Sequence, residues 1–97
     1  MNARFDWDPI KAASNRRKHG VSFQTAVLVF ADPNALVVQD RIENGEERWH
    51  AIGVVEGLFM LVVAHTVHEQ DDLEVIRIIS ARRANREEKR RYEKENG

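Results

Sequence analysis

The chain has 97 residues, 42% of them hydrophobic, which suits one compact domain and leaves little room for a second. It contains no cysteine, which excludes a disulfide framework, a thiolate zinc site and a cysteine nucleophile. Net charge is −1, a poor overall match to nucleic acid, but the charges are unevenly spread. Between residues 78 and 97 seven basic residues face four acidic ones, and residues 1 to 20 hold five basic against two acidic. The middle carries the opposite sign in Asp40, Glu43, Glu46, Glu47, Glu56, Glu69, Asp71, Asp72 and Glu74. If the two ends of the chain meet in space, they form one basic face on an otherwise acidic body. The start, Met1-Asn2-Ala3-Arg4-Phe5-Asp6, does not read as a signal peptide, and the longest apolar run, Leu58 to Ala64, is too short to span a bilayer. The expectation is a soluble cytoplasmic protein with no membrane association.

In chain order, Phe5-Asp6-Trp7 alternates enough for a short edge strand. Asp8-Pro9 then starts a helix, with Asp8 as cap and Pro9 in the first turn, running through Lys11 to His19 and stopping at Gly20. Ser22 caps a second helix whose Phe23, Ala26, Val27 and Phe30 form one apolar stripe, ended by Asp32-Pro33-Asn34. The period then changes. Ala35 to Gln39 reads as a strand, Asn44-Gly45 as a hairpin turn and Arg48 to Val55 as a second strand. After Glu56-Gly57, Leu58 to Val67 is apolar at nearly every position and is the candidate central strand, covered on both faces. His68 to Asp72 reads as a loop, Leu73 to Ser80 as the last strand, and Asn85 with Glu88 has the spacing of a capping box for a final polar helix. The order β-α-α-β-β-β-β-α predicts an α+β fold: an antiparallel sheet of about four to five strands, two N-terminal helices and one C-terminal helix, the helices on one face.

Several strings in this order resemble the BrnT family, toxins of bacterial type II toxin–antitoxin systems. They are Phe5-Asp6-Trp7-Asp8-Pro9, Asn15, Lys18-His19-Gly20-Val21-Ser22-Phe23, Phe30, Asp32-Pro33, Glu47-Arg48, Ala51-Ile52-Gly53, Ile76 to Ala84, Glu88 and Tyr92. The family more often has acidic residues where Gln24-Thr25 stands, and the acidic loop from His68 is longer than usual. The resemblance covers nearly the whole chain. It implies a RelE-like fold, cleavage of RNA with no metal or other cofactor, inhibition of translation, and neutralisation by a BrnA-type antitoxin through which operator DNA is bound indirectly.

Metal-free RNA cleavage needs a base, an acid and cations around the phosphate. Arg77, alone in an aliphatic strand, is either a phosphate clamp or the solvent side of a half-buried strand; alternation alone favours the second, the resemblance the first. His65 can act as acid or base, or be a satisfied half-buried histidine. Lys18 and His19 end the first helix, where dipole effects alone suit a basic pair, while the family string makes a catalytic role plausible. Glu47 and Arg48 could be a base beside its phosphate anchor or a surface ion pair. Arg82 and Arg83 at the strand end suit RNA backbone binding. Tyr92 could stack on a base, or anchor the last helix as its only large apolar group. His65 and His68 with Glu69, Asp71 and Asp72 superficially resemble metal ligands, but strand and loop surroundings argue against convergence. Two other functions compete with the nuclease: a module that holds RNA or DNA without cutting, and a non-catalytic partner subunit of a DNA-binding antitoxin repressor complex.

Overall fold

The structure is a computed structural model that describes residues 3–97. Its elements follow the expected order: β1 (Ala3–Asp6), α1 (Pro9–His19), α2 (Phe23–Val27) continued by a 3₁₀ turn (Leu28–Ala31), β2 (Leu36–Glu43), β3 (Glu46–Val55), β4 (Phe59–Gln70), β5 (Leu73–Arg83) and α3 (Arg86–Asn96). The helix ends form as the sequence dictates. The Asp8 carboxylate accepts from the Ile10 amide at 2.8 Å, and Gly20 closes α1 in the left-handed conformation at φ 72°. Ser22 Oγ accepts from the Thr25 amide at 3.1 Å. Asn85 and Glu88 complete a reciprocal capping box at 2.8 and 2.9 Å.

One five-stranded sheet is built in the order β1-β5-β4-β3-β2. Strands β2 to β5 form an antiparallel meander, with β4 in the centre. Strand β1 pairs with β5 in parallel, so the sheet is mixed rather than antiparallel. A four-residue segment with no hairpin to a neighbour carries no local signal of direction, and its partner lies some seventy residues away (Phe5 opposite Ile76). The strands are longer than expected around both outer turns. The segment expected as a loop from His68 continues as strand to Gln70, and the chain reverses within Asp71-Asp72, both at positive φ.

The helices do not share one face. Ala51, Leu61, Val63, Ile78 and Ala81 point to the side covered by α1, α2 and the 3₁₀ turn, where Val21, Phe23, Ala26 and Val29 complete the main core. Their strand neighbours Ile52 and Val62 point the other way and meet Ala84 and Tyr92 of the C-terminal segment. A central strand apolar on both faces needs cover on both, and α3 supplies it through Tyr92. The 3₁₀ turn lies so close to β3 that a Cβ on Gly53 would stand 2.9 Å from Val29 Cγ1. Among the described residues no helix is long and apolar enough to cross a membrane.

Candidate functional site

Helix α1 has no continuous apolar stripe: Ile10 is exposed, Ala12 alone packs against the main core, and the one buried residue is Asn15. That side chain docks the helix by hydrogen bonds rather than by an apolar stripe. Asn15 Nδ2 donates to the carbonyls of Val21 at 3.0 Å and Ala81 at 2.9 Å, and its Oδ1 accepts from the Ala81 amide at 3.1 Å. The amide group thus pairs with β5 as a neighbouring strand would, satisfying a strand edge that β1 is too short to reach. The same three bonds place the end of α1, the α1–α2 turn and the end of β5 side by side.

Between them lies a cleft of about 400 Å³, with Arg16, His19, Ser22, Thr25, Phe59 and Arg83 in its wall. The Arg83 guanidinium stacks over the Phe59 ring, 4.7 Å from its centroid. Among the described residues, no carboxylate lies within ion-pair distance of Arg16, His19 or Arg83. Basic residues from the first twenty positions and from the last twenty therefore meet here without internal neutralisation. Lys18, exposed on the last turn of α1, precedes His19 in the sequence but does not line the cleft.

The other residues expected at the site lie elsewhere. Arg77 is six residues from Arg83 along β5, roughly 20 Å at strand rise, and its Nη1 lies 3.2 Å from the Asp6 carboxylate. Arg82 points to the face opposite Arg83, where it donates to both oxygens of Glu88 at 2.8 Å. Those bonds, against the cost of burial, hold the Glu88 carboxyl below the usual carboxylate range. Arg48 is 3.1 Å from Glu43, which also binds Arg41 at 3.2 Å, while exposed Glu47 accepts only a 3.3 Å bond from Gln39. On this face His50, Glu88 and Arg91 border a hollow of about 250 Å³; Asp40 stands 3.5 Å from His50, and Glu88 is bonded to Arg82.

Two expected residues are inside the protein. His65 is 2% exposed, its Nδ1 is 3.2 Å from the Val63 carbonyl, and its ring meets Phe30 edge-on at 4.9 Å. Burial pushes its pKa down, and no phosphate reaches it. Tyr92 is buried against the sheet, and its hydroxyl donates to Asp32 at 2.7 Å, which leaves no ring face for a base. Asp32 also accepts from the amides of Val54 at 2.8 Å and Asn34 at 2.9 Å. The ligand-like set around His65 does not converge, because His65 and His68 stand three apart on one strand and face opposite sides. Among the described residues no three His, Asp or Glu side chains are placed to hold a metal ion.

The cleft also holds Arg16 and Phe59, which the sequence alone does not single out. In the sequence Arg16 is one of several basic residues at a helix end, and Phe59 lies within the apolar run of the central strand. The available signal for Phe59 is its place two residues after the Glu56-Gly57 turn, at the start of a strand where an aromatic ring is partly open to solvent.

A family model described as "Ribonuclease toxin, BrnT, of type II toxin-antitoxin system" matches residues 7–88, which include every residue lining the cleft. Among solved structures the chain is similar to the Brucella abortus ribonuclease toxin BrnT, known from a 1.1 Å crystal structure. The two share 25% identity and a TM-score of 0.68, over 89% of this chain and 100% of that one. No curated protein matches. With a family match over most of its length and a shared fold, this chain belongs to the BrnT family of ribonuclease toxins of type II toxin–antitoxin systems.

Proposed function

We propose that the chain cleaves RNA without a metal, in the cleft formed by Arg16, His19 and Arg83, and that it is neutralised by a BrnA-type antitoxin. The observation that carries this reading is the meeting of three uncompensated cationic or imidazole side chains in one concave site. Phosphodiester transfer within RNA needs no external nucleophile. The 2′-oxygen attacks the adjacent phosphorus, an O2′–P bond forms and the P–O5′ bond breaks, leaving a 2′,3′-cyclic phosphate and a free 5′-hydroxyl. His19 takes the 2′-hydroxyl proton, since a neutral imidazole is a competent base near pH 7. Water returns a proton to the departing 5′-oxygen. Arg16 and Arg83 flank the phosphate, where negative charge grows in the transition state, with Lys18 reinforcing the field. The substrate and the consequence, arrest of translation in the cytoplasm, follow from the same reading, as does operator DNA reached only through the antitoxin.

The test is incubation of total RNA in EDTA with the wild-type chain and with His19→Ala, Arg83→Ala and Arg77→Ala. Cleavage leaving cyclic-phosphate ends is expected, reduced about 100-fold or more by His19→Ala and comparably by Arg83→Ala. Arg77→Ala should cut as wild type does. Equal cleavage by His19→Ala would remove the reaction from this cleft, and cleavage only after metal is added would remove the metal-free mechanism. Intact RNA throughout would return the chain to the role of repressor-complex subunit.

A further inference from the structure

The cleft does not end at the Arg83–Phe59 pair. On the far side of that pair a second hollow of about 250 Å³ opens over the end of the sheet, walled by Phe59 and Arg83 together with Leu58, Met60, Ala84 and Lys89. The two hollows share one partition, a guanidinium lying on an aromatic ring. Phe59 is 39% exposed and Leu58 beside it is 79% exposed, so the apolar wall is open to solvent. Lys89, on the first turns of α3, is exposed, and among the described residues no carboxylate is within ion-pair distance of it.

We infer that this second hollow is a nucleotide subsite for single-stranded RNA, in which the base next to the scissile phosphate packs on Phe59 and the following phosphate meets Lys89. The inference rests on placing the reaction in the adjoining cleft. A base has a flat apolar face and a charged phosphate at a fixed remove. The hollow offers an aromatic and aliphatic wall at one side and a lone ammonium at the other, which is that pattern. Stacking on an aromatic side chain backed by arginine is how unpaired bases are held without reading their edges. A base inside a duplex cannot enter, because both of its faces are already covered by its neighbours. The polynucleotide track then runs from the α1–α2 turn, over the Arg83–Phe59 partition, to the start of α3. Arg82 and Arg83 divide the labour: consecutive on one strand, one secures α3 through Glu88 and the other turns to the substrate.

The experiment is binding of a fluorescent 2′-O-methyl single-stranded RNA, which cannot be cut, followed by anisotropy for the wild type, Phe59→Leu, Phe59→Trp and Lys89→Gln. Phe59→Leu should weaken binding about 10-fold, the scale of one lost stack, and Phe59→Trp should bind as wild type or better. Lys89→Gln should weaken it a few-fold and lower the salt dependence, roughly as one phosphate contact would. The same sequence as a duplex should bind less tightly than the single strand, with little response to Phe59→Leu. Thermal melting of each variant shows that the fold is retained. Wild-type affinity in Phe59→Leu, or equal losses in Phe59→Leu and Phe59→Trp, would overturn the stacking role. Because binding is read without cleavage, its outcome separates from that of the His19→Ala assay, whose failure would displace the reaction centre instead.

Discussion

Two buried polar side chains show how this fold treats the same problem in opposite ways. Asn15 is fully committed: both ends of its amide are bonded, and the bonds set the geometry of the cleft. His65 is only partly satisfied, through one nitrogen beside the Val63 carbonyl. Its desolvation opposes charging, His50 adds a small repulsion, and the Val63 contact only partly offsets them, so the folded chain keeps this imidazole neutral below its ordinary pKa. In the unfolded chain the same group takes a proton near pH 6.5. As pH falls through that value the unfolded state binds a proton that the folded state refuses, and stability declines. Urea midpoints should therefore drop between about pH 8 and pH 5.5, above the range in which carboxylates titrate. His65→Gln should start from a lower midpoint and lose that decline. A wild-type curve that is flat across this range would show that His65 charges as readily inside the protein as outside.

At the level of elements, short-range chemistry was legible and long-range pairing was not. Each helix begins where a cap residue stands in the sequence, and α1 also ends at one: Asp8, Gly20, Ser22 and Asn85 all act locally, within a few residues of the groups they satisfy. Asn44-Gly45 announced its hairpin for the same reason. Asp71-Asp72 makes an equally tight reversal, closing directly on the Gln70–Leu73 pair, but its second position holds an aspartate where such a turn favours glycine. Both aspartates sit at positive φ, 53° and 64°, which L side chains adopt at a cost. Replacing the pair by Asn-Gly should stabilise the protein by about 0.5–1 kcal/mol, a rise in Tm of a few degrees by calorimetry. An unchanged or lower Tm would mean that the aspartates repay their strain through contacts elsewhere. The parallel placement of β1 and the position of α3 had no comparable local marker, because each depends on residues far away in the chain.

For the molecule as a whole, the decisive event is that its two basic ends meet. Arg16 and Arg83 line one cleft although the asparagine that joins their elements bonds across 66 residues. No motif written in consecutive residues could have announced that site. The sequence did supply the condition, an excess of positive charge at both termini and of negative charge between them. It also named Lys18, His19 and Arg83, but could not separate them from Arg48, Arg77 and Arg82, because the carboxylates that neutralise those three come from other elements. The net charge of −1 then has a consequence for binding. Attraction to RNA must come from the local patch, since the molecule as a whole does not attract a polyanion and the body of the sheet repels it. In the proposed reading about four cations meet the strand: Arg16, Arg83 and Lys89 from the two hollows, and Lys18 from the exposed end of α1. For single-stranded RNA each phosphate contact contributes about 0.7 to the slope of log K against log salt, so the slope should lie near 3. Converting Arg16 and Arg83 to glutamine should lower it by about 1.4, whereas converting Arg77 and Arg82, already paired with carboxylates, should leave it within error of wild type. A slope that fell equally in both double variants would mean that RNA is gripped across the whole sheet, and that the ion pairs with Asp6 and Glu88 open when it binds.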